Sequence, residues 1–445
     1  MNAARFASGQ RLSGFIDLDI ADAKPSFAEP NPAKRVLLLQ GPVGPFFSEL
    51  QDALGTAGFS VSRVVFNAGD SVFARRHGSV RFSGSIEEWE TWIRFEFAHR
   101  RPDFVILFGS NRPAHEVARR VANIFDIKVL SLEEGYLRSG YVSCELGGNN
   151  QHSPLSKWEA RDPHRTVQDQ TRAKVGLQFP FLTMAIWASA YFLARDLLSR
   201  PSDEELFHRD KERIIPLVAG WVTHMAGRFV ARLSELRIRA SLRHSPGFLL
   251  VPLQVGSDSQ LRLASLGWTT PKLIDACVEA LSRSGRELKL VFKLHPLERG
   301  SAKIKRLIRS KTAQYGVDRH RVCVLKSGRM GDLAAHASGM VVINSTSAFS
   351  ALHHNTPVLV LGEAVFRHNE IVTLGKNKDD IAAFFKLRQS KSRRMIDAFF
   401  SDLKAASLLT GDFYVAAGRK VAIESILKRL KGLESLAPSS TEANG

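Results

Sequence analysis

From residue 34 onward, short apolar runs alternate with stretches whose apolar residues recur at helical spacing. RVLLLQ at 35–40 predicts a buried strand, GPVGP a turn, and FFSELQDALGTAG at 46–58 a helix. SVSRVVFN at 60–67, DFVILFG at 103–109 and KVLSLEEG at 128–135 read as further strands, with helical patterns over 86–101 and 113–125 between them. Short strands alternating with helices predict a parallel sheet covered on both faces. Residues 150–176 are polar, and the region 179–240 reads as helical. The alternation restarts at 247. FLLVPLQV, ELKLVFKLHP, VCVLKSG, MVVINS and PVLVLG are strand-like, and 270–284, 330–338 and 346–354 suit helices. The expected organisation is a loose segment 1–33, an α/β domain 34–165, a helical basic segment 166–245, a second α/β domain 246–380, basic C-terminal helices 381–435 and a fraying tail 436–445.

Charge narrows the partners. Lys and Arg outnumber Asp and Glu by 62 to 44, a net +18, which points to an acidic partner: nucleic acid, phosphate or an anionic membrane. The excess is spread along the chain, and no zinc-finger or RNP motif accompanies it, so nucleic acid is disfavoured. Cys144, Cys277 and Cys323 are far apart and odd in number, which predicts neither a disulfide framework nor a zinc site and fits a reducing cytoplasm. The N-terminus has no run of signal-peptide length. FPFLTMAIWASAYFLA at 179–194 is nearly all apolar but shorter than the roughly 20 residues of a spanning helix, so a buried or interface-lying helix is expected. Beyond it, Trp221, Phe229, Leu233 and Leu236 mix with Arg228, Arg232, Arg237, Arg239 and Arg243. Such a helix suits either an anionic lipid surface or packing on its own domain with a wet basic face.

In doubly wound sheets ligands bind beyond the carboxyl ends of the strands. Four clusters fall there: Glu133, Glu134 and Gly135; Gln254 and Asp258; His295 and Pro296; and Asn344, Ser345, Thr346 and Ser347. Glu133 and Glu134 point to opposite sides of a strand, so only one faces a cleft. Such an acid serves as base or nucleophile, or merely as a cap or ion pair. Lys293 and His295 share one side by the same period, and with Arg299 they suit a phosphate leaving group. Backbone N–H groups opening a helix at 344–347 can hold phosphate or carboxylate. HExxH, Walker and GxSxG patterns are absent, and Asp332 with His336 is weak metal evidence, so a metal-free mechanism is expected. His353 and His354 read as a helix-end or core pair.

QGPVGPFF at 40–47, FNAGD at 66–70, EEGYLRSGYVSCELGGNN at 133–150, VPLQVGSDSQ at 251–260, KLHPLERG at 293–300 and NSTSAFSALHHNTPVLVLGEAVF at 344–366 together resemble the capsule polysaccharide biosynthesis and export family, including its single-module Kdo transferases. The resemblance spans most of residues 34–375. It implies an α/β glycosyltransferase of GT-B type, two facing Rossmann-like domains with a helical insertion and C-terminal helices, transferring β-linked Kdo from CMP-Kdo to a lipid acceptor with retention. The acidic, His-Pro and Ser/Thr elements are also similar to those of bacterial sialyltransferases. A transferase for another CMP-linked keto acid, such as sialic acid, is therefore an alternative, as is a non-catalytic export component.

By the resemblance, Glu134 is the first choice for nucleophile or base, Glu133 the second and Asp258 the alternative. His295 binds or protonates the departing phosphate. Gly135, Arg138, Gln254, Lys293, Pro296, Arg299 and Asn344–Ser347 serve the donor, Arg138 by pairing with the sugar carboxylate. Gly41, Gly44, Asn67 and Asp70 fall on the acceptor side. No cofactor or metal is expected beside the CMP-sugar. The implied location is cytoplasmic, peripheral on the inner face of a bacterial inner membrane, with an anionic lipid acceptor and other capsule assembly proteins as partners.

Overall fold

Val36 and Leu38 point to one side of the first strand and Leu37 and Leu39 to the other, and all four are buried. This double burial makes the sheet a middle layer with a core on each face. The computed structural model describes residues 33–137, 140–159, 180–206, 227, 230–245, 247–255, 264–285, 287–295, 298 and 300–435. Of the expected site residues, Arg138, Asp258, Pro296 and Arg299 lie outside these, as do Trp221, Arg228 and Phe229 and the expected terminal segments, apart from Ala33.

The first half holds β1 (Arg35–Leu38), β2 (Ser60–Val65), β3 (Ser79–Arg81), β4 (Phe104–Phe108), β5 (Lys128–Glu134) and β6 (Tyr141–Leu146). The second holds β7 (Phe248–Pro252), β8 (Lys289–Lys293), β9 (Val322–Leu325), β10 (Gly339–Val342), β11 (Val358–Val360) and β12 (Thr373–Leu374). Parallel strands run β3-β2-β1-β4-β5 in the first sheet and β9-β8-β7-β10-β11-β12 in the second. Both therefore have the doubly wound order, with chain direction reversing between β1 and β4 and between β7 and β10. Two such sheets make the GT-B-like α/β architecture the motifs implied.

Two elements depart from the expected layout. The hairpin strand β6 runs antiparallel to β5. The C-terminal region is also no separate appendage. Its helix Lys378–Lys386 packs on the second half, with Ile381, Phe384 and Phe385 in that core. The helix Arg393–Ser407 then crosses to the first half, where β13 (Leu408–Thr410) pairs antiparallel with β6. The last helix, Ala416–Ser435, buries Ile426 and Leu430 in the first half's core, and Arg419 forks onto Glu49 with both contacts at 2.8 Å.

The apolar segment forms the helix Pro180–Leu198. It buries Ala188, Tyr191 and Phe192 in the first half's core and leaves Leu182, Ile186, Leu193 and Leu197 exposed on its other side. Among the described residues no helix is long and apolar enough to cross a membrane. The GPVGP turn packs against this helix. Gly44 has φ +103°, and a Cβ there would lie 2.2 Å from the Trp187 ring. A Cβ on Gly41 would lie 2.5 Å from Phe47. These two glycines, expected on the acceptor side, serve close packing.

His115, on the helix Pro113–Ile124, is fully buried with Nδ1 2.8 Å from the Gly109 carbonyl. Burial first, then the Arg112 charge, holds its imidazole down at about 3. The unfolded chain thus takes up a proton near pH 6.5 that the folded chain refuses. Stability is whole above that pH and falls as pH drops toward 3, by about 1.4 kcal/mol per unit. Urea unfolding at pH 7 and pH 5 should show about 2 kcal/mol of acid loss from this group. The loss should be smaller in His115→Gln, and an equal loss in that variant would exclude His115 as its source.

Candidate active site

The two reversal points differ. In the first sheet the crevice beyond β1 and β4 is filled by protein. Gln40 Nε2 donates to both Asp70 carboxylate oxygens at 2.8 Å, and Phe66 N donates to Oδ2 at 3.0 Å. Asn67 Nδ2 donates to Tyr191 OH at 3.0 Å, and its own Oδ1 caps the helix Ala68–Val72 by accepting from Asp70 N. Arg112 closes the cluster through Gln40 Oε1 at 2.9 Å and the Gly41 carbonyl at 3.1 Å. Burial pushes the Asp70 carboxyl above its usual range, with the Gln40 bond pulling it back. Asn67 and Asp70, also expected to meet acceptor, instead tie this turn to the helix Pro180–Leu198.

The second sheet's reversal point is open. A cleft of about 830 Å³ lies beyond the carboxyl ends of β7, β8 and β10, within the size range of ligand sites. Pro252 ends β7 and Leu253 and Gln254 follow it, Lys293 ends β8 and Leu294 and His295 follow it, and Asn344 to Ser347 follow β10. Asn344 Nδ2 donates to the Ala264 carbonyl at 3.2 Å, and Ser345 Oγ accepts from Ser347 N at 3.3 Å. Lys293 is buried, with Nζ 3.1 Å from the Leu294 carbonyl and 3.2 Å from that of Lys326. The following helix, Ala348–His353, is a single short turn and a half. Any anion held by this wall would be met by side-chain hydroxyls and Lys293 more than by a helix dipole.

The first half closes the cleft with Glu133, Tyr136, Leu137, Tyr141 and Asn150. Strand alternation brings in one acid of the pair, as expected, but it is Glu133. Glu134 is exposed on the other side, 3.5 Å from Tyr414 OH, and does not line the cleft. This corrects the preference for Glu134. Gly135 is not among the lining residues either, and a Cβ there would lie 2.4 Å from the Tyr141 carbonyl oxygen.

Behind this wall sits Glu145, 1% exposed, inside a motif read above without assigning it a part. Its carboxylate accepts from Tyr136 OH at 2.6 Å, Asn149 Nδ2 at 3.0 Å, Ser407 Oγ at 2.6 Å and Ser153 Oγ. Tyr136 OH in turn accepts from Asn150 N at 2.8 Å. Burial raises the Glu145 carboxyl, and the four bonds pull it back. Burial and the Glu145 charge push the Tyr136 phenol well above its ordinary value. The Tyr136 ring packs on Phe349, centroids 5.7 Å apart, so this network links the two walls.

The crossing helix supplies the remaining side. Arg393, Asp397, Phe400 and Lys404, spaced at 4-3-4, line the cleft, while Ile396, Phe399 and Leu403 on the neighbouring stripe are buried in the core. Arg393 forks onto Asp397 at 3.0 and 2.8 Å and donates to the His353 carbonyl at 2.7 Å. His353 and His354 stand at the end of the helix Ala348–His353, as one of the two expectations had it, and both line the cleft. Burial, with His353 beside it, holds His354 below its usual range. Among the described residues no group of three or more His, Cys, Asp or Glu side chains could hold a metal ion.

A family model described as capsule polysaccharide biosynthesis protein matches residues 103–414. The capsule polysaccharide export protein KpsS of Escherichia coli is 31% identical over 340 residues, 75% of this chain and 86% of that protein. The capsule polysaccharide modification protein LipB of Neisseria meningitidis serogroup A is 28% identical over 393 residues, 86% of this chain and 92% of that protein. Among solved structures, the Thermosulfurimonas dismutans KpsC β-Kdo 2,7 transferase is similar at 14% identity and a TM-score of 0.40, covering 89% of this chain and all of that one.

Proposed function

The chain belongs to the capsule polysaccharide biosynthesis family, and from that premise we propose that it is a glycosyltransferase moving Kdo from CMP-Kdo to a lipid acceptor. The observation that carries the reading is the cleft itself. It unites one carboxylate of the first half, Glu133, with Gln254, Lys293, His295, the Asn344 amide and the Ser345, Thr346 and Ser347 hydroxyls at the open reversal point of the second. That division suits a nucleotide-sugar: anion-binding groups on one wall for CMP, an acid on the other for the sugar centre.

In this mechanism the Glu133 carboxylate attacks the sugar's C2 as the bond from C2 to the phosphate oxygen breaks. The electron pair leaves with CMP, whose growing charge is met by Lys293, His295 and the Ser345 and Thr346 hydroxyls. The acceptor hydroxyl then attacks C2 from the opposite side as the bond from C2 to Glu133 breaks, its electron pair restoring the carboxylate, and the hydroxyl proton passes to the phosphate of the bound CMP. Two inversions give net retention. Arg138, Pro296 and Arg299 keep the donor-side roles the resemblance implies, and Asp258 stays the alternative nucleophile or base. The chain would work at the cytoplasmic face of a membrane. The helix Pro180–Leu198 favours that placement, because Leu182, Ile186, Leu193 and Leu197 leave an apolar stripe uncovered.

The deciding experiment mixes purified protein, CMP-Kdo and a phosphatidylglycerol-type acceptor and follows product by mass spectrometry. Kdo-lipid with CMP release is the expected result. Product only with CMP-sialic acid would replace the donor, and CMP binding without turnover on either donor would replace the enzyme with a polymer-binding export component.

A further inference from the structure

Beside the cleft lies a smaller basic depression that the proposed chemistry does not use. Residues 230–234 are helical and continue, past a turn at Glu235, into the helix Leu236–Arg243. Two anchors fix this segment to the second half. Leu242 is buried with Phe248 and Leu333. The buried Glu235 carboxylate accepts from Lys326 N at 2.9 Å, Ser327 N at 2.8 Å and Ser327 Oγ at 2.6 Å, clamping the loop after β9. Gly328, at φ +98°, lets the Arg239 stem lie against that loop, where a Cβ would come within 3.1 Å of Arg239 Cδ.

The result is convergence of like charges. Arg239 and Arg243 from the helix and Arg329 from the loop line one depression, with His336 and a single carboxylate, Asp332. None of the three arginines is in an ion pair among the described residues. Arg239 Nη2 donates to the Arg232 carbonyl at 3.0 Å, while its Nε is buried without a partner. His336 Nδ1 faces the Asp332 carbonyl at 2.8 Å. Docking the helix needs Leu242 and Glu235 and nothing from these guanidiniums. Gathering them together is unfavourable until an anion arrives, and a guanidinium fork matches phosphate oxygens in pairs.

We propose that Arg239, Arg243 and Arg329 hold the phosphodiester headgroup of an anionic phospholipid beside the cleft. The proposal rests on the lipid-acceptor reading above and names the acceptor's subsite. A bilayer lipid fits better than free phosphate because the same stretch exposes Val230, Leu233, Leu236 and Ile238, at 64%, 59%, 52% and 38%. Leu236 stands one turn before Arg239, so apolar and cationic groups share a helix face as they do at a membrane interface. Gly328 lines both the depression and the cleft, which puts a bound headgroup next to the wall carrying Lys293 and His295.

The test is co-sedimentation of the full chain with vesicles. Wild-type protein should bind phosphatidylcholine vesicles containing phosphatidylglycerol and leave pure phosphatidylcholine vesicles in solution. Arg239→Gln/Arg243→Gln/Arg329→Gln should bind on the order of 100-fold more weakly, from three lost contacts at an anionic surface. Lys420→Gln/Lys428→Gln/Lys431→Gln removes the same charge from the exposed side of the last helix and should stay within about threefold. Equal losses in both triples would replace the site with diffuse net charge, and an unchanged arginine triple would end the proposal. Inorganic phosphate or glycerol phosphate binding as tightly as the vesicles would overturn the lipid assignment. Calorimetric CMP binding on the same samples checks folding of the variants. It also separates the two readings, since wild-type protein that binds vesicles but not CMP would sink the donor site and leave this one standing.

Discussion

Glu133→Gln should lower transfer from CMP-Kdo by about three orders of magnitude, while CMP still binds within about twofold of wild type. Glutamine keeps the shape and hydrogen-bond reach of the side chain but can neither attack the sugar centre nor take a proton. The groups proposed to hold CMP stand on the other wall, at the ends of β8 and β10, and the substitution does not touch them. Glu134→Gln is the control. Its side chain is exposed outside the cleft, so turnover should change by less than about threefold. Steady-state assays on both variants, with calorimetry for CMP, separate the alternatives. A dead Glu134→Gln beside an active Glu133→Gln would reverse the assignment of the acid, and two active variants would remove this pair from the chemistry.

Glu145→Ala should unfold at a markedly lower urea midpoint, a loss of about 3–5 kcal/mol. Four donors from Tyr136, Asn149, Ser153 and Ser407 converge on that carboxylate in a site with almost no solvent access. Alanine leaves them facing a void, and each unmatched buried polar group is unfavourable. Against a typical stability of about 5–15 kcal/mol, this is a large fraction. Glu145→Gln retains the volume and one acceptor oxygen, so its loss should be roughly half as great. A shift below about 1 kcal/mol for the alanine variant would mean that the surrounding hydroxyls find other partners and that the network does not hold the wall.

All the parallel strands except β3 and β12 were readable because each is a compact apolar run ended by a polar or glycine-rich turn. The fold then brings such ends to one edge, which is why Gln254, Lys293, His295 and Asn344–Ser347 could be gathered from widely separated positions before any coordinates. Three things stayed hidden. Period-two alternation says that Glu133 and Glu134 diverge, but not which face the first sheet turns to the second. Asn67 and Asp70 have the polarity of ligand-binding residues, and only the distant Tyr191 and Gln40 show that they bind each other. The stripe Arg393–Lys404 is local in spacing but faces a cleft assembled from strands well upstream. Nothing within that helix distinguishes a cleft wall from a wet surface. The short strands β3, β12 and β13 and the hairpin strand β6 were missed for a related reason: they rest on a neighbouring strand more than on their own apolar content.

The route of Arg393–Ser407 bears on how the chain is made. The first half is synthesised first, yet its sheet lacks the β13 edge and its core lacks Ile426 and Leu430 until the final stretch has left the ribosome. In the second half, the core on one sheet face comes wholly from the stretch between β7 and the helix Lys378–Lys386 and can close as soon as that stretch emerges, while the other face waits for Ile396, Phe399 and Leu403 of the crossing helix. The earlier-made half should therefore finish later, and a chain stopped near residue 390 should show protease protection over 247–386 while the β1–β6 region is still cut.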